Sequence, residues 1–289
     1  MNYAWRGLTQ EELDRAYNQS AYAPNREQIL ARYATNSAMT RNRIGSPERL
    51  AYGGGDNEGI DFFRSQNGQA PCVIFVHGGA WNSGKAENYA FLAEIFVKAG
   101  AHCALPDFDW VQDRDGDLLP LADQVGRAIA HICTSADDLD IHQDRIFVCA
   151  HSSGAHLAAS ALSGIRDRID GLHDTSIKAA LLCSGMYDLE PVRLSARSEY
   201  VAFTDEVEQF LSPMRYLDKL TMPIIVAHGT YETPEFKRQT IEFAEALRQR
   251  GVLQESIIAE NCNHFEILET LANPYGLLGQ AALEMIAQH

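Results

Sequence analysis

The stretch Arg145-Ile-Phe-Val-Cys-Ala150-His-Ser152-Ser153-Gly154-Ala-His-Leu157 decides how the rest of the chain is read. Residues 145–150 are a β-branched and aromatic run of the length of one buried strand. Small residues follow, and a helical pattern runs over 154–162. Ser152 falls on the turn between them. A serine on such a turn stands exposed above the sheet edge. Small residues two before and two after it relieve the crowding of a sharply bent backbone. Ala150 and Gly154 hold those places, giving Ala-x-Ser-x-Gly with alanine where glycine is usual. Taken alone, the pattern also fits a serine that merely caps a helix.

Outward from this turn, short apolar runs alternate with longer amphipathic ones. Strands are expected over 72–76, 102–105, 179–183, 224–228 and 255–259, with helices over 87–99, 119–133 and 235–249. Repeated strand-helix units mean a mostly parallel sheet, here of about eight strands, with helices on both faces. Ahead of it, helical composition over 9–17 and 26–43 predicts an N-terminal helical arm within residues 1–45. Two short extended runs, 49–52 and 59–64, flank the turn-rich Gly53-Gly-Gly-Asp-Asn57 and read as a hairpin. Residues 190–222 break the rhythm and are expected to form a small lid. At 289 residues the chain is expected to be one α/β domain over 1–289.

Composition narrows the class. Hydrophobic residues make up 46% and charged residues 22%, a globular balance. The formal net charge is -15, from 39 acidic against 24 basic side chains, with no basic run to neutralise successive phosphates. Nucleic acid is therefore not an expected partner. The apolar runs are strand-length, far short of the roughly 20 residues that span a bilayer, so no membrane is expected. The first residues lack a basic start and an apolar run. The six cysteines are scattered, and Cys72, Cys103, Cys149 and Cys183 sit in apolar runs. Both features point to a reducing, cytoplasmic location.

Three further stretches carry chemistry. His77-Gly-Gly-Ala-Trp81 follows a buried run, and its glycines expose backbone N–H groups. Acyl transfer generates an oxyanion, whose donors must be aimed where the charge develops. Gly79 and Ala80, joined by Ser153, are the candidate donors; a tight turn carrying a core His and Trp is the plain alternative. Next, Ile224-Ile-Val-Ala-His-Gly-Thr-Tyr-Glu232-Thr-Pro-Glu235-Phe236 runs from strand through an acidic loop into a helix. An orienting carboxylate belongs in such a loop. The loop position favours Glu232, and the helix dipole accounts for Glu235 without chemistry. Last, His264 follows the final extended run and completes the chain order Ser, acid, His. Asp113, Asp115 and Asp117 imitate a calcium loop. Gly116 comes two residues early and Gln124 replaces the closing Glu, so a solvated acidic loop is the reading. No His or Cys pair has metal spacing, and no Walker or dinucleotide loop is present, so neither metal nor cofactor is expected.

At these residues the chain resembles the kynurenine formamidases (arylformamidases) of the α/β-hydrolase superfamily, from Ala16-Tyr17-Asn18 to the last helix. The marks are His77-Gly-Gly-Ala-Trp81, Ser184-Gly-Met-Tyr-Asp188-Leu, Thr233-Pro-Glu-Phe236 with Arg238-Gln239, and His264-Phe-Glu-Ile-Leu268. The resemblance implies a serine hydrolase with Ser152 as nucleophile, Glu232 as triad acid and His264 as base. It also implies a small-molecule substrate, an aryl-formamide such as N-formylkynurenine; adjacency to the proposed site, not the resemblance, then points to Trp81 and Tyr187 as packing against its ring. Two departures stand out, Glu at 232 for the usual Asp and Ala150 for the usual Gly. A carboxylesterase or amidase of other small acyl compounds is the same-class rival, a catalytically silent binding protein the remote one. Nothing in the sequence decides against a homodimer.

Overall fold

The computed structural model describes residues 3–289, so the first two residues of the expected arm lie outside the described residues. Eight strands form a single sheet: β1 Glu48–Ala51, β2 Gly59–Phe63, β3 Ala70–Val76, β4 His102–Pro106, β5 Ile141–His151, β6 Ala179–Cys183, β7 Ile224–Gly229 and β8 Leu253–Ala259. Their order is β1-β2-β4-β3-β5-β6-β7-β8. β1 pairs antiparallel with β2, and β2 antiparallel with β4. Every pairing from β4 through β3 to β8 is parallel.

The helices are α1 Gln10–Ala16, α2 Arg26–Ile44, α3 Ala93–Lys98, α4 Leu119–Thr134, α5 Ser153–Ala161, α6 Glu190–Arg193, α7 Asp205–Phe210, α8 Pro234–Arg250, α9 Glu266–Glu269 and α10 Leu277–Gln288. Among the described residues no helix is long and apolar enough to cross a membrane. This is the α/β-hydrolase architecture the sequence led us to expect, with the predicted hairpin at β1 and β2.

The central strands are apolar throughout because both faces are covered. Alternate side chains of β3 enter different cores: Cys72, Ile74 and Val76 face one, Val73 and Phe75 the other. Residues of α1, α4, α5 and α8 fill the first core, and those of α2, α3 and α10 the second. Each buried Ile, Val or Phe contributes roughly 1.5–3 kcal/mol, so the register of these strands is strongly held. Helix α4 turns Leu121, Val125, Ala128, Ile129 and Ile132 inward at helical spacing. Helix α8 opens on Thr233, whose side chain caps Phe236 N–H, has Pro234 as its first residue, and closes on Gly251 at φ 76°.

One expected helix differs. Residues 87–99 form two short 3-10 turns, Ala86–Asn88 and Ala90–Leu92, before α3 begins. The cause is tertiary: Phe91 N–H donates to Ser37 Oγ of α2 at 3.1 Å instead of joining a helical ladder. The Phe91 ring stacks on Tyr33 of α2 at 4.8 Å. The segment 190–222 contains α6, α7 and three 3-10 turns, and its residues Ser195, Ala196, Arg197, Glu199 and Tyr200 reach the cavity described next.

Candidate active site

A cavity of about 940 Å³ opens at the C-terminal ends of β3, β5 and β8. The loop after β3, Ser152, His264 and the N-terminal arm all contribute to its walls. Strands of a parallel sheet end there on one edge, which is why residues far apart in the chain converge.

Ser152 stands between β5 and α5 at φ 58° and ψ -129°. This backbone is unfavourable for any residue with a Cβ, at a cost of order 1–3 kcal/mol. Surrounding contacts hold it. Ser152 N–H donates to Cys183 O at 2.8 Å, and α5 starts hard against the β3 loop. A Cβ at Gly154 would lie 2.2 Å from His77 O and 2.4 Å from Val76 O, so glycine is required there. Ala150, by contrast, is an ordinary strand residue opposite Val76 and Leu182, and its methyl packs in the core. The departure from the usual glycine is thereby accommodated.

His264 connects the hydroxyl to a carboxylate. Its Nε2 is 2.7 Å from Ser152 Oγ, and its Nδ1 is 2.8 Å from Glu232 Oε2. The Asn263 side chain starts the following turn by accepting from Phe265 and Glu266 N–H, which fixes the backbone bearing the imidazole. Behind it, His151 Nε2 lies 2.9 Å from His264 O. Burial and the adjacent His264 push the His151 pKa down to about 3, which keeps the His151 imidazole neutral.

Glu232 is 1% exposed, which by itself would raise its pKa. The His264 imidazole and a set of donors outweigh burial and hold the carboxyl below its ordinary value. Gly229 N–H and Ser184 Oγ donate to Oε1 at 2.7 and 2.6 Å, and Gln19 Nε2 donates to Oε2 at 3.0 Å. Glu235 is engaged elsewhere, with Arg238 at 2.6 Å and the Tyr17 hydroxyl at 3.0 Å. The choice between the two acids is thus made by position.

The loop after β3 is wound tightly against Ser152. Gly79 has φ 133°, and Ala80 and Trp81 follow at 53° and 63°. A Cβ at Gly79 would fall 1.9 Å from Ser83 O, and one at Gly78 would fall 2.9 Å from Ser152 Cβ. Among the described residues no acceptor takes the N–H groups of Gly79 and Ala80. Ser153 opens α5, where first-turn N–H groups have no intrahelical partner. An imidazole so placed can take the serine proton, and free N–H groups beside it can receive an oxyanion.

Two expected contacts are corrected. Trp81 is 1% exposed, its Nε1–H donates to His156 Nδ1 at 3.1 Å, and its ring packs in the core. Tyr187 is 0% exposed and stacks on Phe243 at 3.9 Å. Neither lines the cavity, because burying a large ring beneath the sheet edge removes more apolar surface from water than presenting it in an open cavity. His77 is likewise a core residue, between Tyr89 and Phe108. Conversely, Gln19 and Ser184 escaped attention as individual residues. Ser184 directly follows β6 at the same sheet edge as Ser152 and Glu232, a positional signal legible in the sequence. Nothing local marks Gln19, which reaches Glu232 across 213 residues of chain.

The BD-FAE family model matches residues 60–247. The kynurenine formamidase of Danio rerio is 29% identical, covering 98% of this chain and 99% of that protein. That of Salmo salar is 26% identical with the same coverage. Among solved structures, one from Silicibacter sp. TM1040 superimposes with a TM-score of 0.83 at 24% identity, covering 96% of this chain and 99% of that one.

Proposed function

The chain belongs to the BD-FAE family, and from that premise we propose that it is a serine hydrolase that cleaves an aryl-formamide, N-formylkynurenine being the type substrate. It is a hydrolase of small amides or esters. The observation that carries the serine-hydrolase reading is the relay Glu232–His264–Ser152, with both hydrogen bonds at 2.8 Å or less. The full-length likeness to kynurenine formamidases supports the formamide as substrate.

In this reading Ser152 Oγ attacks the formyl carbon while His264 Nε2 takes its proton. The N–H groups of Gly79, Ala80 and Ser153 hold the oxyanion, each such donor contributing about 3 kcal/mol. The C–N bond then breaks, and His264 returns the proton to the departing arylamine. Water attacks the formyl-enzyme with His264 again as base, formate leaves, and Ser152 regains its proton. Glu232 keeps Nδ1 protonated throughout and stabilises the imidazolium. The cytoplasm is the proposed compartment, supported by six unpaired cysteines, four of them buried in strands.

The test is turnover of N-formylkynurenine beside short-chain p-nitrophenyl esters, with Ser152→Ala as control. Formamide cleavage that disappears in the variant is expected. Activity on esters alone would leave a carboxylesterase, and no labelling by a fluorophosphonate probe would leave a binding protein.

A further inference from the structure

The chain is strongly acidic, and most of its arginines are ion-paired: Arg32 with Glu269, Arg49 with Asp107 and Arg238 with Glu235 are examples. Three arginines that line the cavity are not. Arg15, Arg26 and Arg197 have no carboxylate partner among the described residues. Unmatched positive charge gathered at one cavity of a protein with net charge -15 creates a local field of the opposite sign to the whole.

Two of the three pack on rings that contact His264. Arg197 lies over the Phe236 ring at 5.8 Å, and Arg26 over the Phe265 ring at 5.6 Å. Each ring in turn stands edge-on to His264, with centroids 5.1 and 5.3 Å away. Each guanidinium thus packs on a ring that contacts the imidazole, and both line the cavity that holds Ser152 and His264. Arg197 is also held in place: Nη1 donates to Tyr200 Oη at 2.8 Å and Nη2 to Tyr17 O at 2.9 Å. Its Nε–H is buried with no acceptor. Each terminal nitrogen keeps a second hydrogen beyond those two bonds, so donors remain for an incoming anion. Of the carboxylates on the wall, Asp14 already accepts from Ala196 N–H at 2.7 Å and Gln10 at 2.9 Å, which leaves exposed Glu199.

We propose that Arg26 and Arg197 bind a carboxylate on the leaving group, so that the enzyme selects acyl compounds of carboxylate-bearing, amino-acid-like amines or alcohols over neutral ones. Arg15 adds to the same field, and Glu199 is the counterpart for an ammonium. The inference rests on the serine-hydrolase reading of the site, and it names what the non-reacting end of the substrate carries. A guanidinium pre-set by stacking and by two hydrogen bonds loses little freedom when a carboxylate arrives.

The test compares matched pairs. One is N-formylkynurenine against its carboxamide; the other is the acetate ester of 3-(2-hydroxyphenyl)propanoate against that of the corresponding amide. Wild type is expected to favour the acid of a pair by about 10–100-fold in kcat/KM, the range of a charge-assisted hydrogen bond, chiefly through KM. The preference should shrink as ionic strength rises. In Arg26→Gln and Arg197→Gln the ratio should fall, and in Arg197→Lys fall less. Equal kcat/KM for acid and amide in wild type overturns the proposal, as does a ratio that survives in both Gln variants. The wild-type ratio decides even where a variant does not fold. Discrimination within the ester pair without any formamide turnover removes the formamidase reading and keeps this one. Formamide turnover without discrimination does the reverse.

Discussion

Gln19, in the N-terminal arm, donates to Glu232 Oε2, the same oxygen that lies 2.8 Å from His264 Nδ1. The Gln19 carbonyl oxygen accepts from Thr233 N–H at 3.2 Å, so one buried amide grips both the carboxylate and the start of α8. The arm is therefore part of the machinery that orients the base. Gln19→Ala should lower kcat by about 10–100-fold, the value of one hydrogen bond to a charged group, with little change in KM. Steady-state kinetics on either substrate class checks this. Unchanged kcat would mean that Gln19 only packs.

The two neighbouring glutamates should separate cleanly. Glu232→Gln leaves the geometry nearly intact but removes the negative charge that stabilises the imidazolium, so kcat should fall about 10³–10⁴-fold. Glu235→Gln loosens the pair with Arg238 and the Tyr17 contact, so it should lower stability while kcat falls less than about 10-fold. Kinetics and urea denaturation on both variants, read together, test the assignment. Comparable losses of kcat would refute it.

At the elbow, substitutions at the two small residues should behave oppositely. Gly154→Ala places a Cβ against two backbone carbonyls that cannot move aside, and we expect loss of soluble fold or at least about 3 kcal/mol of stability. Ala150→Gly meets no clash and should cost about 1 kcal/mol through chain entropy, with activity retained. Equal behaviour of the two variants in thermal or urea unfolding would contradict the packing described at Ser152.

Acid should destabilise the fold through buried histidines. Burial pushes the pKa of His156 down to about 4 and that of His151 to about 3, against about 6.5 in an unfolded chain. The folded state thus binds fewer protons than the unfolded one between these limits. Stability is complete above pH about 6.5 and falls as pH drops toward 4, by roughly 1.4 kcal/mol per unit for each group. In His156 the neutral Nδ1 accepts the Trp81 indole N–H, a bond its protonation would break. Unfolding free energy measured from pH 7 to 4 should slope accordingly, and His156→Gln should reduce the slope by up to one proton. An unaltered slope would count against a neutral, buried His156.

What the linear sequence determined is the alternation of strands and helices, their parallel sheet, and the placing of Ser152, Glu232 and His264 on turns at strand ends. These follow from local causes: periodicity of apolar residues, a Thr-Pro helix start, and glycines where no Cβ fits. Tertiary structure alone decided which way the remaining side chains face. Trp81 and Tyr187 sit beside the site in sequence and turn into the core. Gln19, Arg26 and Arg197 come from remote segments and are brought together only by packing, Gln19 against Glu232 and the arginines onto the rings that contact His264. A local pattern sets backbone conformation through contacts a few residues apart. The direction in which a side chain is buried depends on surfaces that exist only after distant elements have packed.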